Sequence, residues 1–330
     1  MITKKLFIKA DGFVVCFKTD CGGTIAFIKN NIQEFTRLTI SFELINELTA
    51  IDFTLTYKNV KSYNLVFDEK KKEMALECPW NEINKSTFLP MIFRYIVEWI
   101  RQKNNEIKVH ASAVEKNGKT ILFMAPSEGG KTTTAMAMCQ KYGCALKAND
   151  ASVIKIINDS PIMLRGDLRF KARANSLHAY SKNILQDKIN NFEEINAPWF
   201  TGINISPGEM GVFTNNNFLP VKYIFFVKLD VLVKDCTIIK YNGNPLERKN
   251  FWFKPKMQII QNIGGTIRAV DLTPIGNNGT LVPIEIPSLD TADLYIERIN
   301  FINFLFDKCD VYQLRGQLEV LTELINEIVS

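Results

Sequence analysis

Apolar and polar positions change period several times along this chain, and the changes mark its elements. Lys119-Thr-Ile-Leu-Phe-Met124 is a short apolar run with β-branched and aromatic residues, which predicts a buried strand. Thr132 to Tyr142 carries helix formers and stops at Gly143, where a glycine just past the last turn ends a helix. Val109 to Val114 predicts a strand that returns through a tight Asn117-Gly118 turn. Ala145 to Ala148 and Ser152 to Ile157 predict two more strands. The first ends at Asn149-Asp150 and the second turns at Asn158-Asp159-Ser160-Pro161.

Outside this segment the pattern is coarser. Residues 1–85 read as β-rich, with short apolar pieces at Phe7–Phe17, Thr24–Ile28, Leu38–Phe42, Ala50–Tyr57 and Tyr63–Phe67. Turn signals such as Asp11-Gly12 and Gly22-Gly23 separate them. Thr87 to Gln102 predicts an amphipathic helix, with Ile92, Tyr95, Ile96 and Trp99 on its inner face, Ser86 or Thr87 as cap and Pro90 in the first turn. From Arg165 to about Pro220 the sequence is polar and Asn-rich and predicts loops. Val221–Val227 is the most strand-like run, and Thr237–Tyr241 is expected to pair with it. Leu289–Phe306 predicts a helix capped by Ser288, Val311–Arg315 a last strand, and Gln317–Val329 a closing helix with Leu318, Leu321, Ile325 and Ile328 inward. Strands alternating with helices predict an α/β fold, and the hairpins predict a mixed sheet. The expected division is a β-rich module over 1–85 and a second domain over 86–330.

Composition narrows the function classes. Hydrophobic residues make up 46% and charged residues 23% of the 330 positions, as in an ordinary globular protein. The net charge of +5 is mild, and the basic run Lys70-Lys71-Lys72 is flanked by Asp68, Glu69 and Glu73, so no nucleic-acid partner is expected. The N-terminus shows no signal-peptide pattern, and no run approaches the ~18 apolar residues of a membrane span. Seven scattered cysteines without Cys-x-x-Cys pairs predict reduced thiols and a cytoplasmic location. Cys139 and Cys144 read as small buried hydrophobes. Two histidines without clustered ligands predict no structural zinc.

Candidate chemistry concentrates between the predicted strand at 119–124 and the helix from Thr132. Ala125-Pro-Ser-Glu-Gly-Gly-Lys131-Thr132 matches three of the four fixed positions of the phosphate-loop pattern G-x-x-x-x-G-K-[ST], with Ala125 in place of its first glycine. Turn amides and the helix N-terminus present partial positive charge to a polyphosphate. The cofactor-binding set is therefore Ser127, Glu128, Gly129, Gly130, Lys131, Thr132 and Thr133. Lys131 is expected at the β/γ-phosphates of ATP or another nucleoside triphosphate, and Thr132 at Mg²⁺. Glu128 is unusual here, because a carboxylate repels phosphates unless it points outward or meets the metal. Asp150 closes a strand where a carboxylate meets a phosphate-loop metal. Arg165 and Arg169 are either phosphate clamps or surface charges. Gly264-Gly265-Thr266-Ile267-Arg268 reads as a plain turn, and His178 as structural or surface.

The order His110-Ala-Ser-Ala, Asn-Gly hairpin, Met124-Ala-Pro-Ser-Glu-Gly-Gly-Lys-Thr132, then Leu146-Lys-Ala-Asn-Asp-Ala-Ser-Val-Ile154 resembles the HPr kinase-like branch of the phosphoenolpyruvate-carboxykinase-type P-loop fold. The resemblance is strongest from His110 to Ile157 and weaker over the C-terminal half. It implies an α/β core of that type with a mixed sheet, and a Mg·ATP-dependent kinase acting on a seryl or threonyl hydroxyl of a small protein or peptide. By position it implies catalytic roles for Lys131, Asp150 and His110, and metal ligation by Thr132 and Asp150. The chain departs from the family at Asn149, where the family has the first of two aspartates. An amide is not a general base near neutral pH. Either Asp150 does both jobs, or His110 or Asp167 supplies the base, or the site binds nucleotide and has lost or changed its chemistry.

Three functions follow. A protein or peptide kinase predicts acceptor-stimulated ATP hydrolysis lost in Lys131→Ala. A nucleotide-sensing module that recruits a peptide predicts binding without transfer, with Asn149→Asp creating activity. A small-molecule kinase predicts a labelled metabolite. The acceptor's identity, the phosphate-removing reverse reaction and homo-oligomer formation stay open at this stage.

Overall fold

The computed structural model describes residues 4–46, 50–80, 88–126, 129–173, 202–233, 236–241, 273–275, 280–282, 287 and 292–330. It is a mixed α/β protein with two large sheets and, among the described residues, six α-helices. Contacts divide the chain into two compact units, Met1–Asn105 with Gln258–Glu297, and Glu106–Met257 with Arg298–Ser330.

The first unit is built on a six-stranded sheet of strands β1 (Lys4–Ala10), β2 (Phe13–Thr19), β3 (Phe42–Ile45), β4 (Phe53–Asn59), β5 (Asn64–Asp68) and β6 (Glu73–Cys78), ordered β3-β1-β2-β4-β6-β5. Pairing is parallel at β2/β4 and β4/β6 and antiparallel elsewhere. Helices α1 (Gly22–Asn30) and α2 (Ile32–Leu38) follow β2, and α3 (Phe88–Lys103) supplies the long apolar stripe Phe88, Ile92, Phe93, Ile96 and Ile100 to the same core as Phe17, Phe35 and Leu55. The join expected at residue 86 therefore contrasts with a contact boundary between Asn105 and Glu106, because α3 packs in the first core. A charged group lies inside this unit: Arg101, 1% exposed, pairs with the fully buried Asp11 and with Glu98.

The second unit contains β7 (Glu106–Val109), β8 (Ser112–Lys116), β9 (Lys119–Met124), α4 (Lys131–Tyr142), β10 (Ala145–Ala148), β11 (Ser152–Ile157) and β12 (Ser160–Gly166). Strands β13 (Phe170–Arg173) and β14 (Gly202–Ile205) form an antiparallel pair, and the long β15 (Leu219–Leu229) and β16 (Thr237–Lys240) come next. Strands β17 (Thr273–Ile275) and β18 (Thr280–Val282) pair with each other and belong to the first unit. Helix α5 (Ala292–Lys308), β19 (Asp310–Gly316) and α6 (Leu318–Val329) complete the chain. The nine-stranded sheet runs β10-β8-β9-β15-β12-β11-β7, with β19 also on β15 and β16 on β19. The start of β15 pairs with β12, while its length runs parallel to β9 and β19.

Period-two alternation divides the sheet's side chains between two cores. Ile121, Phe123, Phe225 and Val227 lie with Met136, Leu321 and Ile325, so α4 and α6 cover one face. Leu122, Met124, Ile224 and Phe226 lie with Ile302, Leu305 and Phe306, so α5 covers the other. The β8/β9 hairpin turns through Asn117 and Gly118, both at positive φ (53° and 71°), as an Asn-Gly turn requires.

Several expected elements differ. Thr24–Ile28 is helix rather than strand, because its buried residues, Thr24 and Ile28, stand four apart. Leu38 closes α2, and the strand expected there begins only at Phe42. The strand expected over Val109–Val114 is two strands: β7 pairs with β11 and β8 with β9, and the chain changes partners at His110-Ala111. Thr237–Lys240 pairs with β19 and not with Val221–Val227, since β9 and β19 already flank β15. Strand β6 was not legible: Glu, Met and Ala are weak strand formers beside a lysine run. Cap residues Ser86, Thr87 and Ser288, together with Trp199 and Phe200, lie outside the described residues.

Candidate functional site

Strands β9, β10, β15 and β19 end at one edge of the sheet, with Met124, Ala148, Leu229 and Gly316 as their last residues. In open α/β sheets the carboxyl ends of the strands, where short loops lead into helices, are where ligands bind. Here the loop after β9 enters α4 through Gly130, whose φ of 101° only glycine adopts without strain. A Cβ on Gly130 would collide with the Leu229 side chain. Gly129 is small for a related reason. A Cβ there would stand 2.6 Å from the methyl of Ala125, so the alanine at the first motif position is accommodated by a glycine opposite it. Leu229 N–H donates to Gly129 O at 3.2 Å, tying the loop to β15.

Helix α4 has no side-chain cap and no acidic residue in its first turn. Its N-terminal amides and dipole therefore face the loop without a carboxylate from the helix itself. Lys131, 7% exposed, folds back to donate to Ala125 O at 3.3 Å. Among the described residues no carboxylate lies within ion-pair distance of its ammonium. Burial pulls its pKa below the ordinary lysine value, partly offset by the charge of Asp150. A buried ammonium without a close counter-ion costs several kcal/mol, about the scale that an incoming anion recovers.

Asn149 and Asp150 follow β10. Asn149 is buried and every polar group it carries is used. Its Oδ1 accepts from Thr132 Oγ1 at 2.7 Å, and its Nδ2 donates to Arg169 O at 2.8 Å. Its N–H donates to Asp167 O at 2.6 Å, and Ser112 Oγ donates to its carbonyl. Asp150 is solvent-accessible over 63% of its side chain yet hemmed by protein on its other sides, and its Oδ1 accepts from His110 Nε2 at 2.9 Å. Burial alone would raise the Asp150 pKa. The hydrogen bond and charge of His110, aided by Lys131 and Lys108, outweigh it and hold the carboxyl below the ordinary range.

The geometry thus brings together Gly129, Gly130, Lys131, Thr132, Asn149, Asp150 and His110. His110 sits in the bend between β7 and β8 rather than within a strand, and Ala111 N–H closes that bend on Val109 O at 3.0 Å. Thr133 lies in the first turn of α4. Ser127, Glu128, His178 and the Gly264–Arg268 segment lie outside the described residues. Arg169 grips Asp167 through two contacts of 2.7 Å, which occupies Asp167 as an alternative base. Arg165 pairs with Glu106. Both arginines are thereby engaged by carboxylates of the sheet edge. Sequence reasoning missed the bonds of Asn149 to Thr132 and to the Arg169 carbonyl, since partners 17 and 20 residues apart leave no periodic signal.

The residues present suit a phosphate-borne Mg²⁺. Thr132 directs its proton to Asn149 and keeps lone pairs for a cation, and Asp150 offers an accessible carboxylate. Among the described residues no three His, Cys, Asp or Glu side chains cluster as a self-sufficient metal cage. Mg²⁺ is commonly held by one or two protein oxygens plus substrate phosphates, which this donor set matches. The buried thiols of Cys139 and Cys144 are pushed up to about 12 and about 11, by burial above all, and so behave as hydrophobes. No helix among the described residues is long and apolar enough to cross a membrane. No protein-family model matches the chain, and no curated protein matches it.

Proposed function

We propose that the second unit is a nucleotide-binding domain whose loop at Gly129–Thr133 wraps the phosphates of a Mg-bound nucleoside triphosphate, ATP in the simplest case. Within that class, the reading that fits best is an HPr kinase-like phosphotransferase acting on a Ser or Thr hydroxyl of a small protein or peptide. The carrying observation is Lys131: a buried ammonium, drawn back over the loop at the N-terminus of an uncapped helix to donate to the carbonyl oxygen of Ala125. The likeness of residues 110–157 to the HPr kinase-like P-loop fold supports the same reading.

In this mechanism Lys131 and the first amides of α4 hold the phosphates and spread their charge. Thr132 and Asp150 would hold Mg²⁺, which supplies charge neutralisation at the phosphates when bound. His110 fixes the Asp150 carboxylate from one side, leaving its outer oxygen to accept the acceptor hydroxyl's proton. A carboxylate with a depressed pKa is a modest base. Phosphoryl transfer through a loose transition state asks mainly for positioning and charge.

One observation favours a second reading, a nucleotide-sensing module without transfer. Asn149 is neutral and has no free hydrogen-bonding atom, so Asp150 is the only carboxylate that the Asn149-Asp150 pair supplies. The deciding experiment incubates candidate Ser/Thr peptides and small hydroxyl metabolites with Mg·[γ-³²P]ATP, with Lys131→Ala in parallel. Transfer to peptide, lost in the variant, is expected. ATP binding without transfer would select the second reading, and a labelled metabolite would indicate a small-molecule kinase. Absence of nucleotide binding would sink all three.

A further inference from the structure

The sheet edge that carries the phosphate-binding loop has a direction. Asn149 and Asp150 follow β10, which lies beyond β8 on one side of β9; Leu229 ends β15, which lies directly against β9 on the other. The loop after β9 thus stands between a carboxylate flank and a flank built from Leu229 to Val233. On the second flank the Leu229 side chain fills the space beside Gly130, and Leu229 N–H bonds to Gly129 O. Val231 and Leu232 come next and stand 82% and 89% exposed.

These two side chains are displayed on a braced turn. Asp230 N–H donates to Gly316 O at 3.0 Å, and the Asp230 carboxylate accepts from Arg315 at 2.7 and 3.1 Å and from Leu232 N–H at 3.1 Å. Gln317 Nε2 donates to Val231 O at 3.3 Å. The bracing holds two aliphatic groups at a fixed place in water, two and three residues beyond the Leu229 that touches the loop. Pre-ordering of this kind lowers the entropy lost when a ligand covers the surface.

We propose that Val231 and Leu232 form the platform for the base of the bound nucleotide. The inference rests on the triphosphate reading above and adds the location of the nucleoside end. A triphosphate whose terminal group faces Thr132 and Asp150 leaves the loop with its first phosphate toward the opposite flank. The ribose and base then pass over Leu229 and reach the exposed pair. Aliphatic side chains cover a base's face and offer no hydrogen bond to its edge. Such a platform favours a nucleoside over bare phosphate while telling adenine from guanine poorly.

The test is calorimetric titration of the full chain with Mg·ATP, Mg·GTP and Mg·tripolyphosphate, for the wild type and for the double variant Val231→Ser/Leu232→Ser. Both positions are exposed, and an unchanged melting temperature will show that the variant folds. The expected result is ATP and GTP weakened at least tenfold in the variant, with tripolyphosphate affinity changed less than twofold. ATP affinity that survives the double substitution, or a wild type that binds tripolyphosphate as tightly as ATP, overturns the platform alone. A wild type that binds neither ATP nor tripolyphosphate overturns the phosphate reading and the platform with it.

Discussion

At the scale of the residue, Asn149 is specified by its two neighbours. Thr132 needs an acceptor and the Arg169 carbonyl needs a donor, and an amide offers one of each in a single orientation. A carboxylate at that position would set an oxygen against the Arg169 carbonyl. Asn149→Asp is therefore expected to destabilise the protein by about 1–3 kcal/mol at pH 8, read as a lower midpoint in urea, without raising phosphoryl transfer above that of the wild type. Gain of transfer in that variant would refute the positional account. The His110–Asp150 pair makes a prediction in pH. Asp150's carboxyl is depressed on folding, so its stabilisation is present above the unfolded value of about 3.9 and is lost as pH falls through the folded value. His110→Ala should lower the melting temperature at pH 7 and lose its effect in acid. Solvent exposure of Asp150 keeps the difference under about 1 kcal/mol.

At the scale of the element, the turn between β9 and α4 depends on one backbone conformation. Gly130→Ala introduces a Cβ at φ 101° into the Leu229 side chain. The expected cost is about 1–3 kcal/mol, with nucleotide affinity reduced by more than tenfold, checked by thermal melting and calorimetry. Leu229→Ala in the same background should recover part of the stability and little of the φ penalty. Much of this element was legible: the apolar run, the Gly-Gly-Lys-Thr signature and Gly143 bound strand, turn and helix closely. The partner change at His110 was not legible. An apolar stretch from Val109 to Val114 carries the same side-chain pattern whether one strand or two run through it. Only the pairing of β7 with β11 and of β8 with β9 divides it.

At the scale of the whole molecule, each unit has its own core and its own mixed sheet. In the first unit the Arg101–Asp11–Glu98 group is buried, and Asp11 also receives Ile40 N–H at 2.6 Å and Ser41 N–H at 3.0 Å. Arg101→Ala leaves carboxylates buried without their cation and is expected to cost about 3–5 kcal/mol, measured by denaturant unfolding. A double change, Arg101→Met with Asp11→Asn, should recover part of that loss, because it removes the stranded charge. The β-rich character of the first 85 residues was visible in sequence, but the helical assignments of Gly22–Asn30 and Ile32–Leu38 were not. Both helices are short, and short apolar runs fit either period.

The sequence by itself determined the local pieces: the strand, glycine turn and helix around Lys131, the Asn-Gly hairpin, the amphipathic α3 and α6, and the chemical types gathered near Asp150. These are written in periods and turn residues that act over a few positions. Tertiary structure alone decided that Thr132 donates to Asn149, that His110 falls in a bend against Asp150, that Arg165 and Arg169 are held by Glu106 and Asp167, and that Leu229 packs on the glycines before α4 while Val231 and Leu232 beyond it stay exposed. Those pairings join residues distant in the chain. Strand register places them, and register is fixed by the packing of both faces of the sheet rather than by any stretch of sequence alone.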